Sequence, residues 1–266
     1  MDKVIASTRD AVADIPDGAT LAVGGFGLCG VPVALIDALL EQGTHDLTTI
    51  SNNCGVDDQA LGVLLYAGRI TRTISSFVGG NKELARLYLT GALSVELTPQ
   101  GTLAERLRAG GAGIPAFYTP TGVGTMVAEG GIPVRYDADG TVVETSAPKE
   151  VRVFDGQQYV LETALVADFG LVRAAKADRH GNLVFHESAR NFNPLAGMAG
   201  RITIAEVEEL VEPGEITPED VHLPGVYVDR VVVVGTEGKR IEKRTTRARS
   251  DRSDTPAAAG EEATPA

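Results

Sequence analysis

The chain has 266 residues, 43% of them hydrophobic and 23% charged, with a formal net charge of −12. That length holds one α/β domain or two small ones around a buried core. The acidic balance excludes a nucleic-acid binder, which needs a basic face against phosphate.

The N-terminus lacks the apolar core of a signal peptide, and no run approaches the length of a membrane span. Cys29 and Cys54 have neither metal-type nor redox-type spacing, and read as reduced, intracellular thiols. A cytoplasmic protein that contacts neither membrane nor nucleic acid is the expectation.

In chain order, residues 3–15 carry apolar side chains at Val4, Ile5, Ala11, Val12 and Ile15, a helical spacing. Thr20-Leu21-Ala22-Val23 predicts a strand, and Gly24-Gly25-Phe26-Gly27-Leu28-Cys29-Gly30 follows it at once. Four glycines in seven residues predict a tight loop with exposed backbone. Such a loop either aims N–H groups at an anion or is simply a tight turn without a ligand. Its spacing is neither the dinucleotide fingerprint nor a P-loop. Pro32 suits a first helical turn, residues 33–42 predict a helix, and Gly43 is its stop.

Residues 47–51 predict a second strand, running directly into Asn52-Asn53-Cys54-Gly55. A helix over 58–66, a strand over 70–77, a glycine turn at Gly79-Gly80, a helix over 82–90, a strand over 94–98 and a helix over 102–109 follow. This alternation predicts an α/β fold, an open and mainly parallel sheet flanked by helices. Ligands of such sheets sit beyond the carboxyl ends of the strands. That rule selects the loops at 24–30, 52–55 and 99–101 and makes them neighbours.

The glycine-rich runs 110–115 and 119–125 read as loops. From residue 149 the texture is β, with strands expected at 151–154, 158–162, 169–174, 182–185, 202–211 and 226–234 and a turn at 178–182. The fold is therefore expected to carry an additional β-rich section in its C-terminal half. No internal repeat is evident. Residues 239–252 hold seven basic side chains, and 255–260 almost no large apolar group. A domain over 1–238 and a disordered tail over 239–266 are expected.

The histidines (His45, His180, His186 and His222) lack zinc-type spacing, and no G-x-S-x-G elbow is present. Cys29 reads as a thiol nucleophile or as a small buried filler. Asn52 and Asn53 offer two carboxamides that donate and accept, for turn chemistry or for a ligand. Gln100 is an uncharged donor at a strand–helix junction. Glu105 and Arg106 read as a solvated helix face. Glu187 reads as a nucleophile or, more simply, as the surface ion-pair partner of Arg190.

Asp17-Gly18, the apolar Leu21 to Val23, Gly24-Gly25-Phe26, Gly30 and Pro32 together resemble the first signature of the family I CoA-transferases. Ser51-Asn52-Asn53-Cys54-Gly55, Phe77-Val78-Gly79-Gly80-Asn81-Lys82-Glu83 and Glu96-Leu97-Thr98-Pro99-Gln100-Gly101-Thr102 extend the likeness. So do Ala112-Gly113-Ile114-Pro115-Ala116-Phe117-Tyr118 and Ala189-Arg190-Asn191-Phe192-Asn193-Pro194. Over residues 1–235 the chain looks like the A subunits of the succinyl-CoA:3-ketoacid branch.

The resemblance implies a ping-pong transfer of CoA from succinyl-CoA to acetoacetate, with CoA thioesters as substrates and no permanently bound cofactor. In the family a glutamate in a Ser-Glu-Asn-Gly motif on the B subunit is the nucleophile; this sequence contains no such motif. The chain should then be half an enzyme, partnered by a B subunit in an A2B2 complex. The glycine loop (Gly24, Gly25, Phe26, Gly27, Leu28, Cys29, Gly30) with Asn52 and Asn53 would contact CoA. Gln100 would support the acyl end, and Lys82, Arg106 and Arg108 are candidates for the positive potential. The alternatives are a 3-oxoadipate or acetate transferase of the same family, or a non-catalytic CoA-binding module.

Overall fold

In the computed structural model, residues 1–236 are described, and the expected tail lies outside the described residues. The first half alternates as its periodicity predicts. After α1 (Thr8–Val12) come β1 (Thr20–Val23), α2 (Val33–Gln42), β2 (Leu47–Asn53), α3 (Leu61–Tyr66), β3 (Ile70–Phe77), α4 (Lys82–Leu89), β4 (Ser94–Leu97) and α5 (Gln100–Gly111). Gly43 ends α2 in the left-handed region, with its amide on the Leu39 and Leu40 carbonyls. The expected helix over 3–15 shortens to α1. Ser7 caps it through the Asp10 amide, while Val4 bridges Val231 in parallel.

The middle of the chain folds apart from the main sheet: β5 (Ala116–Thr119), α6 (Met126–Glu129), β6 (Pro133–Tyr136), β7 (Val142–Thr145), β8 (Val151–Phe154) and β9 (Gln157–Thr163). They make a three-stranded antiparallel sheet, β5-β9-β8, and the hairpin β6-β7. The chain then re-enters the main sheet through β10 (Ala167–Asp178), with β11 (Leu183–Val184) folded back on it. It continues through α7 (Asn193–Ala199), β12 (Gly200–Val211) and β13 (Arg230–Val233).

The main sheet runs β13-β12-β10-β1-β2-β3-β4, every pair parallel, with β11 antiparallel at the end of β10. The β-rich C-terminal section therefore divides. Part forms the small antiparallel sheets, and part extends the parallel one. Side chains alternate between two cores, as a sheet covered on both faces requires. Leu21, Val23, Leu171 and Ile204 pack under α1 to α4 in one cluster. Ala22, Ile50, Val172 and Ala205 pack under α5 and α7 in the other.

The strand expected over 226–234 is corrected: it starts only at Arg230, after a 3-10 turn at Gly225–Tyr227. Helix α7 lies where the sequence predicts no element. Small residues admit it: a Cβ on Gly170 would lie 2.7 Å from the Ala196 carbonyl oxygen, and one on Gly111 2.4 Å from Met198 Cβ. Among the described residues no helix is long and apolar enough to cross a membrane.

Candidate active site at the carboxyl edge

The loops at 24–30, 52–55 and 99–101 leave β1, β2 and β4 at the same edge of the sheet, and hydrogen bonds join them. The Gly27 amide donates to Asn53 Oδ1 at 2.9 Å. Asn52 Nδ2 donates to the same Asn53 oxygen at 3.1 Å, and Gln100 Nε2 donates to Asn52 Oδ1 at 2.7 Å. Ser76 Oγ adds a second donor to Asn52 Oδ1 at 3.0 Å. One line of carboxamides thus runs from the glycine loop to the N-terminus of α5. Asn52 is buried within it, Asn53 half-buried and Gln100 exposed at its end. A row of neutral dipoles fixed by mutual hydrogen bonds presents partial charge without a proton to lose.

The glycine loop is not the open amide cradle that its composition suggests. The Gly24 amide donates to the Leu171 carbonyl, Phe26 and Cys29 exchange both backbone bonds, and Gly27 is taken by Asn53. The hollow beneath the loop measures about 10 Å³, the room of a single water at most. The N-terminus of α2 is also occupied, because Glu206 from β12 accepts the Leu35 amide at 2.9 Å. A ligand can meet this loop only from outside, where Phe26 is 48% exposed and Cys29 half-buried.

Burial pushes the Glu206 carboxyl up to about 7, against the opposing pull of the Leu35 amide and Arg173. Arg173 Nη1 donates to Glu206 at 2.8 Å, with both side chains buried beneath α2. Cys54 is buried as well, and desolvation raises its thiol to about 12.

A fourth segment, absent from the loops that the strand rule selects, closes the loop from the side. Asn193, fully buried at the start of α7, accepts the Arg173 amide at 3.0 Å. It donates to the Gly30 and Ala189 carbonyls at 2.9 and 2.8 Å. A Cβ on Gly24 would meet Asn193 Oδ1 at 1.9 Å, so the glycine is required by this approach. Asn191 Nδ2 donates to the Cys29 carbonyl at 3.1 Å, and Ser188 Oγ lies 3.4 Å from Cys29 Sγ. In the sequence the run 189–194 carries part of the family likeness, and its amide side chains at 191 and 193 are the local hint of this clamp.

Two charge assignments are corrected, those of Arg106 and Glu187. Arg106 is not on a solvated face: it is buried, bonded to Glu96 at 2.8 Å and to the Thr163 carbonyl at 2.8 Å. It joins α5 to β4 and β9 and is unavailable to an anion. Arg108 donates to Glu105 through Nε and Nη2 in an exposed pair. Glu187 does not pair with Arg190; its carboxylate lies 3.9 Å from the His186 ring instead. Lys82 stays exposed at the start of α4 and makes no ion pair among the described residues.

The coenzyme A transferase family model matches residues 5–234. The probable A subunit of a succinyl-CoA:3-ketoacid coenzyme A transferase from Mycobacterium bovis is 64% identical over 247 residues, 93% of this chain and 100% of the relative. A mitochondrial succinyl-CoA:3-ketoacid coenzyme A transferase of Rattus norvegicus is 54% identical over 89% of this chain and 46% of its own. Among solved structures, the acyl-CoA transferase of Escherichia coli O157:H7 superposes with a TM-score of 0.74 at 26% identity, over 88% of this chain and 47% of that one. The chain thus spans about half the length of these last two proteins. It belongs to the coenzyme A transferase family, among its A subunits.

Proposed function

We propose that this chain is the A half of an enzyme that moves CoA from succinyl-CoA to a 3-oxo acid such as acetoacetate. The carboxamide line from Gly27 through Asn53 and Asn52 to Gln100 is the observation that carries the reading. It provides uncharged donors where an anionic substrate must lie beside a nucleophilic carboxylate. The names borne by relatives at 64% and 54% identity give the substrate pair.

In this reading the nucleophile is a glutamate of a B subunit. Its carboxylate attacks the thioester carbonyl, the C–S bond breaks, and CoA leaves as thiolate from an acyl–glutamyl anhydride. The thiolate then attacks the glutamyl carbonyl and releases succinate, leaving a glutamyl-CoA thioester. The 3-oxo acid runs the same steps in reverse. Gln100 would orient the acyl carbonyl, Asn52 would fix Gln100, and Asn53 with the outer face of the glycine loop would contact the CoA chain.

The test is CoA exchange between succinyl-CoA and acetoacetate, followed by the acetoacetyl-CoA enolate. The chain is assayed alone and with a co-expressed B subunit. Exchange in the mixture only is the expected result. Activity of the lone chain would return the nucleophile to this sequence, with Glu187 first in line. Inactivity of the mixture towards acetoacetate, with exchange onto 3-oxoadipate or acetate instead, would move the protein to those branches.

A further inference from the structure

The active-site reading places a polyanionic thioester on a chain of net charge −12, so cations at the carboxyl edge are needed and most are committed elsewhere. Arg72 and Arg106 both bond Glu96, Arg108 bonds Glu105, and Arg173 bonds Glu206. Arg190 differs. It is exposed, and it has no ion pair among the described residues.

Its position is nevertheless fixed. Arg190 ends the 3-10 turn Glu187–Arg190, and that turn is held on the glycine loop by contacts on both sides of it. Ser188 touches Cys29 Sγ, Asn191 bonds the Cys29 carbonyl, and Asn193 ties the Ala189 and Gly30 carbonyls together. Helix α7 then runs beside α5, which starts at Gln100. The turn that carries Arg190 is thereby packed against the loop, next to the face left open to a ligand.

The carboxylate nearest in sequence is turned away. Glu187 stands three residues before Arg190, a spacing that pairs charges in a helical turn. Its φ of 45° lies in the left-handed region, which costs a non-glycine residue on the order of 1 kcal/mol. There the side chain contacts His186 instead. On the other side lies His222, whose ring stacks on Phe185 and accepts the Phe185 amide. Burial first, and then the Arg190 charge, lower the His222 pKa against the opposing pull of Asp220, so this neighbour is held towards its neutral form and adds no competing positive charge.

We propose that Arg190 is a substrate-binding residue that holds an oxyanion of the incoming substrate against the outer face of the glycine loop. The oxyanion is a phosphate of CoA or the carboxylate of the acid. The planar guanidinium suits either, by two parallel N–H···O bonds. The inference rests on the CoA-transferase reading above.

The experiment is steady-state kinetics of the reconstituted two-subunit enzyme, wild type against Arg190→Gln and Arg190→Ser, with Lys82→Gln for comparison. Loss of a charge-assisted contact raises KM about tenfold or more for the substrate that carries the oxyanion. If that is a CoA phosphate, KM rises for succinyl-CoA, and the preference over the dephospho form narrows. If it is the acid carboxylate, KM rises for acetoacetate alone. Arg190→Lys, which keeps the charge but not the fork, should fall between. KM values within twofold of wild type for both substrates would overturn the proposal. So would a fall in kcat alone, or failure of both variants to assemble, which would make Arg190 structural. A wild-type complex that neither binds CoA by calorimetry nor transfers it would instead defeat the underlying reading.

Discussion

In the proposed site Gln100 is a side chain that would matter for chemistry and little for folding. It is exposed, and its hydrogen bond to Asn52 sits at the open end of the carboxamide line. Gln100→Glu sets a carboxylate against the Asn52 oxygen and beside an anionic substrate. We expect kcat/KM of the two-subunit enzyme to fall about a hundredfold, the scale of losing an aligned dipole at a charged transition state. The thermal midpoint of the lone chain should stay within 2–3 °C, roughly the shift of a surface change below 1 kcal/mol. A midpoint that fell with activity would mean the line is a folding device. The thiols separate in the same way. Native protein treated with iodoacetamide should label at Cys29 and stay unlabelled at Cys54, whose thiol is buried and raised to about 12. CoA should slow the Cys29 reaction if the loop's outer face is the binding face.

At the scale of elements, the glycine loop and the start of α2 are held by two buried polar residues from distant strands and helices. Asn193→Ala leaves the Arg173 amide and the Gly30 and Ala189 carbonyls without their partner. The orphaned buried amide costs about 1–3 kcal/mol and the two half-buried carbonyls less, so urea denaturation should show a loss of about 2–4 kcal/mol. An unchanged midpoint would sink the clamp. Glu206 makes a pH-dependent contribution. Its folded pKa is raised, to about 7 from 4.5, so the stabilisation is complete below pH 4.5 and is lost as pH rises through 7. The stability gap between wild type and Glu206→Gln should therefore be wider at pH 5 than at pH 8, by up to about 3 kcal/mol. A gap independent of pH would mean that Arg173 keeps the carboxylate charged throughout.

The same scale explains what was legible in the sequence. From β1 to β4 every strand and helix shows its own periodicity and its own stop, so local chemistry suffices. Helix α7 does not, because its Gly and Ala content has meaning only against Gly170 and Gly111. The turn after β1 recurs after β2: Phe26 and Cys29 bridge as Val56 and Gln59 do, each behind a positive-φ glycine (Gly25, Gly55) but with no residue in common from 26–29 to 56–59. Gly30 has φ 72° and Ala60 φ 55°, so one backbone shape is reached from two chemistries. Arg106 read as solvated because Glu96, Thr98 and the Thr163 carbonyl, its partners, are brought to it only by the fold. The three loops of the site were legible because parallel strands deliver their carboxyl ends to one edge. The clamp at 186–193 was not, since it arrives from a crossover whose end cannot be read locally.

Across the whole molecule, the carboxyl edge combines the site with apolar side chains that the lone chain leaves in water. Phe26 is 48%, Phe77 56% and Leu97 37% exposed, at the glycine loop and at the ends of β3 and β4. Isolated exposed hydrophobics are ordinary, but three along one edge that also carries the proposed substrate contacts suit a face covered by a second chain. Covering it would exclude water from the carboxamide line, where fixed dipoles act most strongly at low dielectric. Phe77→Asp tests this with little risk to the fold, because the ring is 56% exposed and lies over Gly79 of the following turn. The lone chain should unfold at the wild-type temperature. Its titration with B subunit by sedimentation velocity should show complex formation weakened by tenfold or more, with activity falling in step and recovering at high protein concentration. Full-strength assembly by the variant would place the partner on another face and leave Phe77 beside the substrate, where KM rather than association would respond.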